Sequence, residues 1–124
     1  MEVSIKRGLL EAMLSFAREQ HPHEVVVLLR GGVKRDVVSI DDFLVPPFAV
    51  GGPGFAAFPL HMLPIDFSII GAAHSHPSGA LRPSVVDLNH LYGRVMIILA
   101  YPYTPERTVA FNARGERLHI RVEG

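Results

Sequence analysis

The chain has 124 residues, 48% hydrophobic and 19% charged, enough apolar material for one buried core and too much for a disordered chain. Twelve basic and twelve acidic residues cancel to zero net charge, so no overall field draws nucleic acid or an anionic membrane. The absence of cysteine excludes disulfides, thiol catalysis and thiolate-bound zinc, leaving histidines and carboxylates as the metal donors. No apolar stretch of signal-peptide or membrane-spanning length occurs, the longest smooth run being residues 95–100, and the expected compartment is the cytoplasm.

Ile5, Leu9, Leu10, Met13, Leu14 and Ala17 recur at helical spacing, which predicts an amphipathic helix over residues 6–20 with Ser4 as its start cap. His21 precedes Pro22, so the helix should stop there. Residues 24–29 form a β-branched run that reads as a buried strand ending at a Gly31-Gly32 turn, followed by a hairpin partner over 36–45 kinked at Asp41-Asp42. Residues 46–64 hold five prolines and three glycines punctuated by Phe48, Phe55 and Phe58, a long apolar loop with room for a short edge strand at 55–58. Residues 68–74 read as a central strand broken by Pro77-Ser78-Gly79. Residues 83–92 read as a second helix, 94–100 as another buried strand, and 108–112 with 117–122 as a closing hairpin around Arg114-Gly115. This order predicts one α/β domain over residues 1–124, a sheet with helices packed on it.

His74-Ser75-His76 sets two imidazoles two residues apart at the end of a strand, on one face and within reach of one ion. Asp87 follows eleven residues after His76, inside the first turns of the helix that Pro83 opens, so a carboxylate can return to the pair. Two histidines, one carboxylate and an open fourth position are the donor set of catalytic zinc. A hydrolytic site also needs a base, and Glu24, at the head of a strand far off in sequence, is the best-placed carboxylate. Each fragment also has a plainer reading. Ser84-Val85-Val86-Asp87 is a capping-box pattern, Glu24 fits an ordinary strand entry, and His21-Pro22-His23-Glu24 forms either a solvated loop or a rival metal cluster. His61, His90 and His119 read as surface or hydrogen-bonded histidines, with His90 three residues from Asp87 and able to orient it.

Taken together, Glu24, then His74-Ser75-His76-Pro77, then Ser84-x-x-Asp87 resembles the JAMM motif of the MPN-type zinc isopeptidases, in residue type and in spacing. Leu60-His61-Met62-Leu63-Pro64-Ile65 and Tyr101-Pro102-Tyr103 also look like the small archaeal and bacterial members. The resemblance spans nearly the whole chain and implies a single domain of cytidine-deaminase-like fold, a curved mixed β-sheet flanked by helices. It implies that His74, His76 and Asp87 bind Zn2+, that Glu24 is the general base for a zinc-activated water, and that Ser84 donates to the oxyanion. Ser75 would face away from the metal, and Pro77 would fix the turn after the ligands.

The family's substrates imply a partner: a ubiquitin-like modifier or sulfur-carrier protein, cleaved from its conjugates after a C-terminal Gly-Gly. The apolar loop beside the metal-bearing strand makes Phe55 and Phe58 candidate substrate-binding residues, which could instead cap the core. Two other functions remain open from sequence: a non-catalytic MPN scaffold, and a zinc peptidase that processes sulfur-carrier precursors. Neither nucleic acid nor membrane is expected as a partner, and oligomeric state is not legible.

Overall fold

In the computed structural model, which describes residues 1–46, 50–51, 68–83 and 93–124, the chain opens with a strand, β1 (Glu2–Lys6). Its alternate residues Val3 and Ile5 are buried, and it lies parallel to strands on both sides, so tertiary pairing overrides a helical spacing that extended back to Ile5. Helix α1 (Arg7–Gln20) therefore starts one residue later than expected, and its cap is Lys6, which makes no side-chain capping bond. Ser4 is not a cap: it sits within β1 and its hydroxyl donates to the Glu123 carboxylate. The helix stops before Pro22 as predicted, with the His21 N–H returning to Arg18 O at 3.3 Å. Leu10, Met13, Leu14 and Ala17 form its buried stripe.

β2 (Glu24–Lys34) is longer than its apolar run because it continues through Gly31-Gly32 rather than turning there. A Cβ on Gly31 would lie 1.9 Å from Ser39 O, so this position admits glycine because the hairpin partner passes too close for a side chain. The turn falls at Arg35-Asp36, with Arg35 at φ 58°, and leads into β3 (Val37–Leu44). Arg30 pairs with Asp42 and Gly31 with Ile40, which leaves Asp41 as the extra residue of a bulge at the expected kink. The two-residue β4 (Val50–Gly51) pairs antiparallel with the start of β2. β5 (Ile69–His76), β6 (Val95–Ala100), β7 (Thr108–Asn112) and β8 (Arg117–Glu123) follow, with a short 3-10 turn at Pro105–Arg107 before β7. The expected edge strand at 55–58 and the second helix lie outside the described residues.

The strand order is β3-β1-β8-β7-β6-β5-β2-β4, and β3 also pairs with β2, so the sheet closes on itself as a ring with β4 as an appendage. Parallel pairs (β1–β3, β1–β8, β5–β6) mix with antiparallel ones, the curved mixed sheet the motif resemblance implied. One face packs against α1: Val25, Val27, Leu29, Ala73, Ile97 and Leu99 join the helix stripe in the main core. The opposite face carries two smaller clusters, one around Met96, Ile98, Ala100 and Phe111 and one around Val26, Leu28, Ile69 and Ala72. Among the described residues no helix is long and apolar enough to cross a membrane.

Candidate active site

The site is built on β5, and a bulge decides which way its side chains point. Leu29 pairs with Gly71 but Arg30 pairs with Ile69, so Ile70 has no counterpart on β2. Ile70 consequently joins the core on the helix side while Ile69 and Ala72 lie in a cluster on the opposite face. From Ala72 onward the alternation is regular. Ala73 and the fully buried Ser75 face the helix side, and His74 and His76 share the other face.

Across the sheet Val26 stands opposite His74, the last pair of that ladder, and strand alternation sets Glu24, two residues earlier on β2, on the same face as Val26. Glu24, Val26, His74 and His76 thus project from one face of two adjacent strands. On the other side β6 brings Ile98 beside His74 and Ala100 beside His76. Both are fully buried, so the half-buried imidazoles stand next to an apolar floor that strengthens any charge interaction made above it.

The two imidazoles have ring centroids 6.3 Å apart and planes at 87°. His76 Nδ1 lies 2.9 Å from Ala80 O, and because a carbonyl can only accept, Nδ1 carries a proton, which in the neutral ring leaves the lone pair on Nε2. This is the arrangement that orients a metal-binding histidine. The backbone is held as firmly: His76 O accepts from Gly79 N–H at 2.9 Å and Tyr101 N–H at 3.0 Å. Arg107 clamps the same turn, its guanidinium donating to Gly79 O at 2.6 Å. Two soft-to-borderline nitrogen donors on one strand face, one with its tautomer set, fit a divalent ion of zinc type with bonds of about 2.0–2.1 Å. Asp87 and Ser84, with Phe55 and Phe58, lie outside the described residues, as do His61 and His90.

Among the described residues the rival cluster gathers no third metal donor. His21 Nδ1 lies 2.6 Å from the Tyr103 hydroxyl and its ring stacks on Tyr101 at 4.8 Å, while His23 Nδ1 bonds Gln20 O at 3.2 Å. His119 is an exposed residue of β8. Sequence reasoning missed the Ala80 carbonyl and the Arg107 clamp. The first is a main-chain atom with no residue signature, and the second approaches from 28 residues away.

Residues 6–113 match the family described as prokaryotic homologues of the JAB domain. A probable metalloprotease of Haloferax volcanii is 40% identical over 121 residues, covering 92% of this chain and 75% of the relative. A JAB1/MPN domain protein of Archaeoglobus fulgidus superposes with a TM-score of 0.71 at 33% identity, with all of both chains covered. A structure described as a metalloprotease-like zinc site in the proteasome and signalosome gives 0.65 at 30% identity, covering 98% of this chain and 99% of that one. A two-histidine strand beside a carboxylate-bearing strand, on a fold these relatives share and within a sequence matched over most of its length, has one reading: the chain belongs to the JAB/MPN family, among the JAMM-like metalloproteases.

Proposed function

We propose that the protein is a zinc-dependent hydrolase of peptide or isopeptide bonds that follow the C-terminal Gly-Gly of a ubiquitin-like modifier or sulfur carrier. The observation that supports the reading is the register of β2 on β5, in which Val26 stands opposite His74, two residues along the strand from Glu24. His74 and His76 would hold the ion with Asp87 as third donor, the carboxylate that the motif spacing supplies. When bound there, zinc supplies Lewis acidity and lowers the pKa of a water to about 7.

The rest falls to the chain's own side chains. Glu24 accepts the proton of the attacking water and delivers one to the leaving amine, a function worth about 10²- to 10⁴-fold in rate. Ser84 donates to the carbonyl oxygen as it gains charge. The His76 Nδ1–Ala80 bond prevents that ring from turning its protonated nitrogen toward the ion. Phe55 and Phe58 are the proposed contacts for the modifier tail, whose glycines offer main chain rather than side chains for recognition.

The test pairs metal analysis with cleavage of a fluorogenic Gly-Gly-terminated modifier conjugate. Wild type should bind one zinc ion and cleave. His74→Ala, His76→Ala and Asp87→Ala should lose both properties, and Glu24→Gln should keep zinc and lose about 100-fold or more of the rate. Full zinc in all three alanine variants, or undiminished turnover by Glu24→Gln, overturns the assignment. A chain that binds conjugates but never cleaves them is a scaffold. Cleavage of linear carrier precursors alone would narrow the substrate to those.

A further inference from the structure

We infer that Ser75, buried between the two histidines and facing away from them, is a positioning residue for Glu24. The β2–β5 register runs from Arg30 opposite Ile69 to Val26 opposite His74. One residue nearer the site, the Val25 N–H donates to Ser75 Oγ at 2.8 Å, and Ser75 is 0% exposed. A side-chain hydroxyl on the histidine strand therefore holds β2 at the position where its chain turns into the site.

The Val25 N–H belongs to the peptide unit that also contains the Glu24 carbonyl. That unit is planar, so fixing its N–H direction fixes the position of the Glu24 Cα, from which its side chain leaves the strand. Among the described residues the far edge of this stretch is held by the two-residue β4, which pairs Glu24 with Gly51 and Val25 with Val50. Without the hydroxyl a buried N–H would have no acceptor there, and the peptide would rotate toward another one, carrying Glu24 with it. His74 and His76 project from the opposite face, and His76 keeps its own anchors at Ala80 O, Gly79 N–H and Tyr101 N–H. Loss of the hydroxyl should thus disturb the base and spare the ion site.

The inference rests on the proposed role of Glu24, and its test separates the two. Ser75→Ala should lower kcat at least about tenfold, since small misplacement of a reacting group has effects of that size, with KM and zinc affinity within about twofold of wild type. Ser75→Thr, which retains the hydroxyl, should restore kcat. In the Glu24→Gln background Ser75→Ala should have no further effect on the residual rate, whereas a general loss of structure would subtract the same factor again. Independently of activity, exchange of the Val25 amide in the metal-free chain should quicken in Ser75→Ala and return to the wild-type rate in Ser75→Thr. If Ser75→Ala does not fold, Ser75→Cys, of similar volume with a weak acceptor, carries the same comparisons. Wild-type kcat in Ser75→Ala, a loss that multiplies with Glu24→Gln, or an unchanged Val25 amide overturns the inference and leaves the hydrolase reading standing. A wild-type chain whose turnover does not depend on zinc and Glu24 overturns both.

Discussion

The Tyr103 hydroxyl shares a 2.6 Å hydrogen bond with His21 Nδ1 while the residue is 2% exposed, and burial, reinforced by neighbouring Tyr101, raises its pKa above the ordinary 10.0. The folded state therefore keeps its proton where the unfolded chain has begun to lose it. This contribution to stability is complete below pH 10 and is lost as pH rises from there through the folded pKa. Tyr103→Phe should cost about 1 kcal/mol at pH 7, for the lost hydrogen bond, and should flatten the alkaline fall seen in wild type. Denaturant titrations of both proteins from pH 7 to 11 check the crossing. At this scale the sequence was informative where spacing fixes geometry: the i, i+2 spacing of His74 and His76 sets both on one face of β5. It was silent where a main-chain group is the partner. Neither the Val25 N–H held by Ser75 nor the carbonyl of Ala80 that orients His76 leaves a mark in the sequence, because every residue has such groups.

Elements were legible where their signal is local. The end of α1 at Pro22, the kink at Asp41 and the breaks after His76 and around Gly115 all follow from a proline, a bulge-prone polar pair or a glycine with positive φ. The strand through Gly31 and the strand at the N-terminus were not legible, because what decides them is another part of the chain passing close by. Gly31 reads as turn chemistry, yet it is required by the approach of Ser39 O within a continuous strand. Gly31→Ala should accordingly destabilise the protein by about 3 kcal/mol or more, through displacement of the hairpin rather than through lost turn freedom. A thermal melt should show the drop. Gly32→Ala, with open space around its Cβ position, should melt within a few degrees of wild type.

For the whole molecule, both faces of the sheet have buried apolar clusters made entirely by the chain. Chelation should therefore leave the far-ultraviolet circular dichroism unchanged, and zinc should raise the melting temperature only by its binding to the folded form. Collapse of the spectrum on chelation would make the metal structural instead. Ring closure depends on β1, which is parallel to β3 through Glu2–Ile5 and to β8 through Glu2–Lys6. Deleting residues 1–6 uncovers the edges of β3 and β8 together, and the truncated chain should self-associate in sedimentation or light scattering where the full chain does not gain mass. The pairing of Glu2 with His119 and of Lys6 with Glu123 also has a meaning in time. During synthesis β1 waits for β8, so a nascent chain carries β1 with one edge bare until the segment ending at Glu123 has been added. Contacts of such long sequence separation make closure a late and slow event, and the interval before it is when this protein most needs protection from its neighbours on the ribosome.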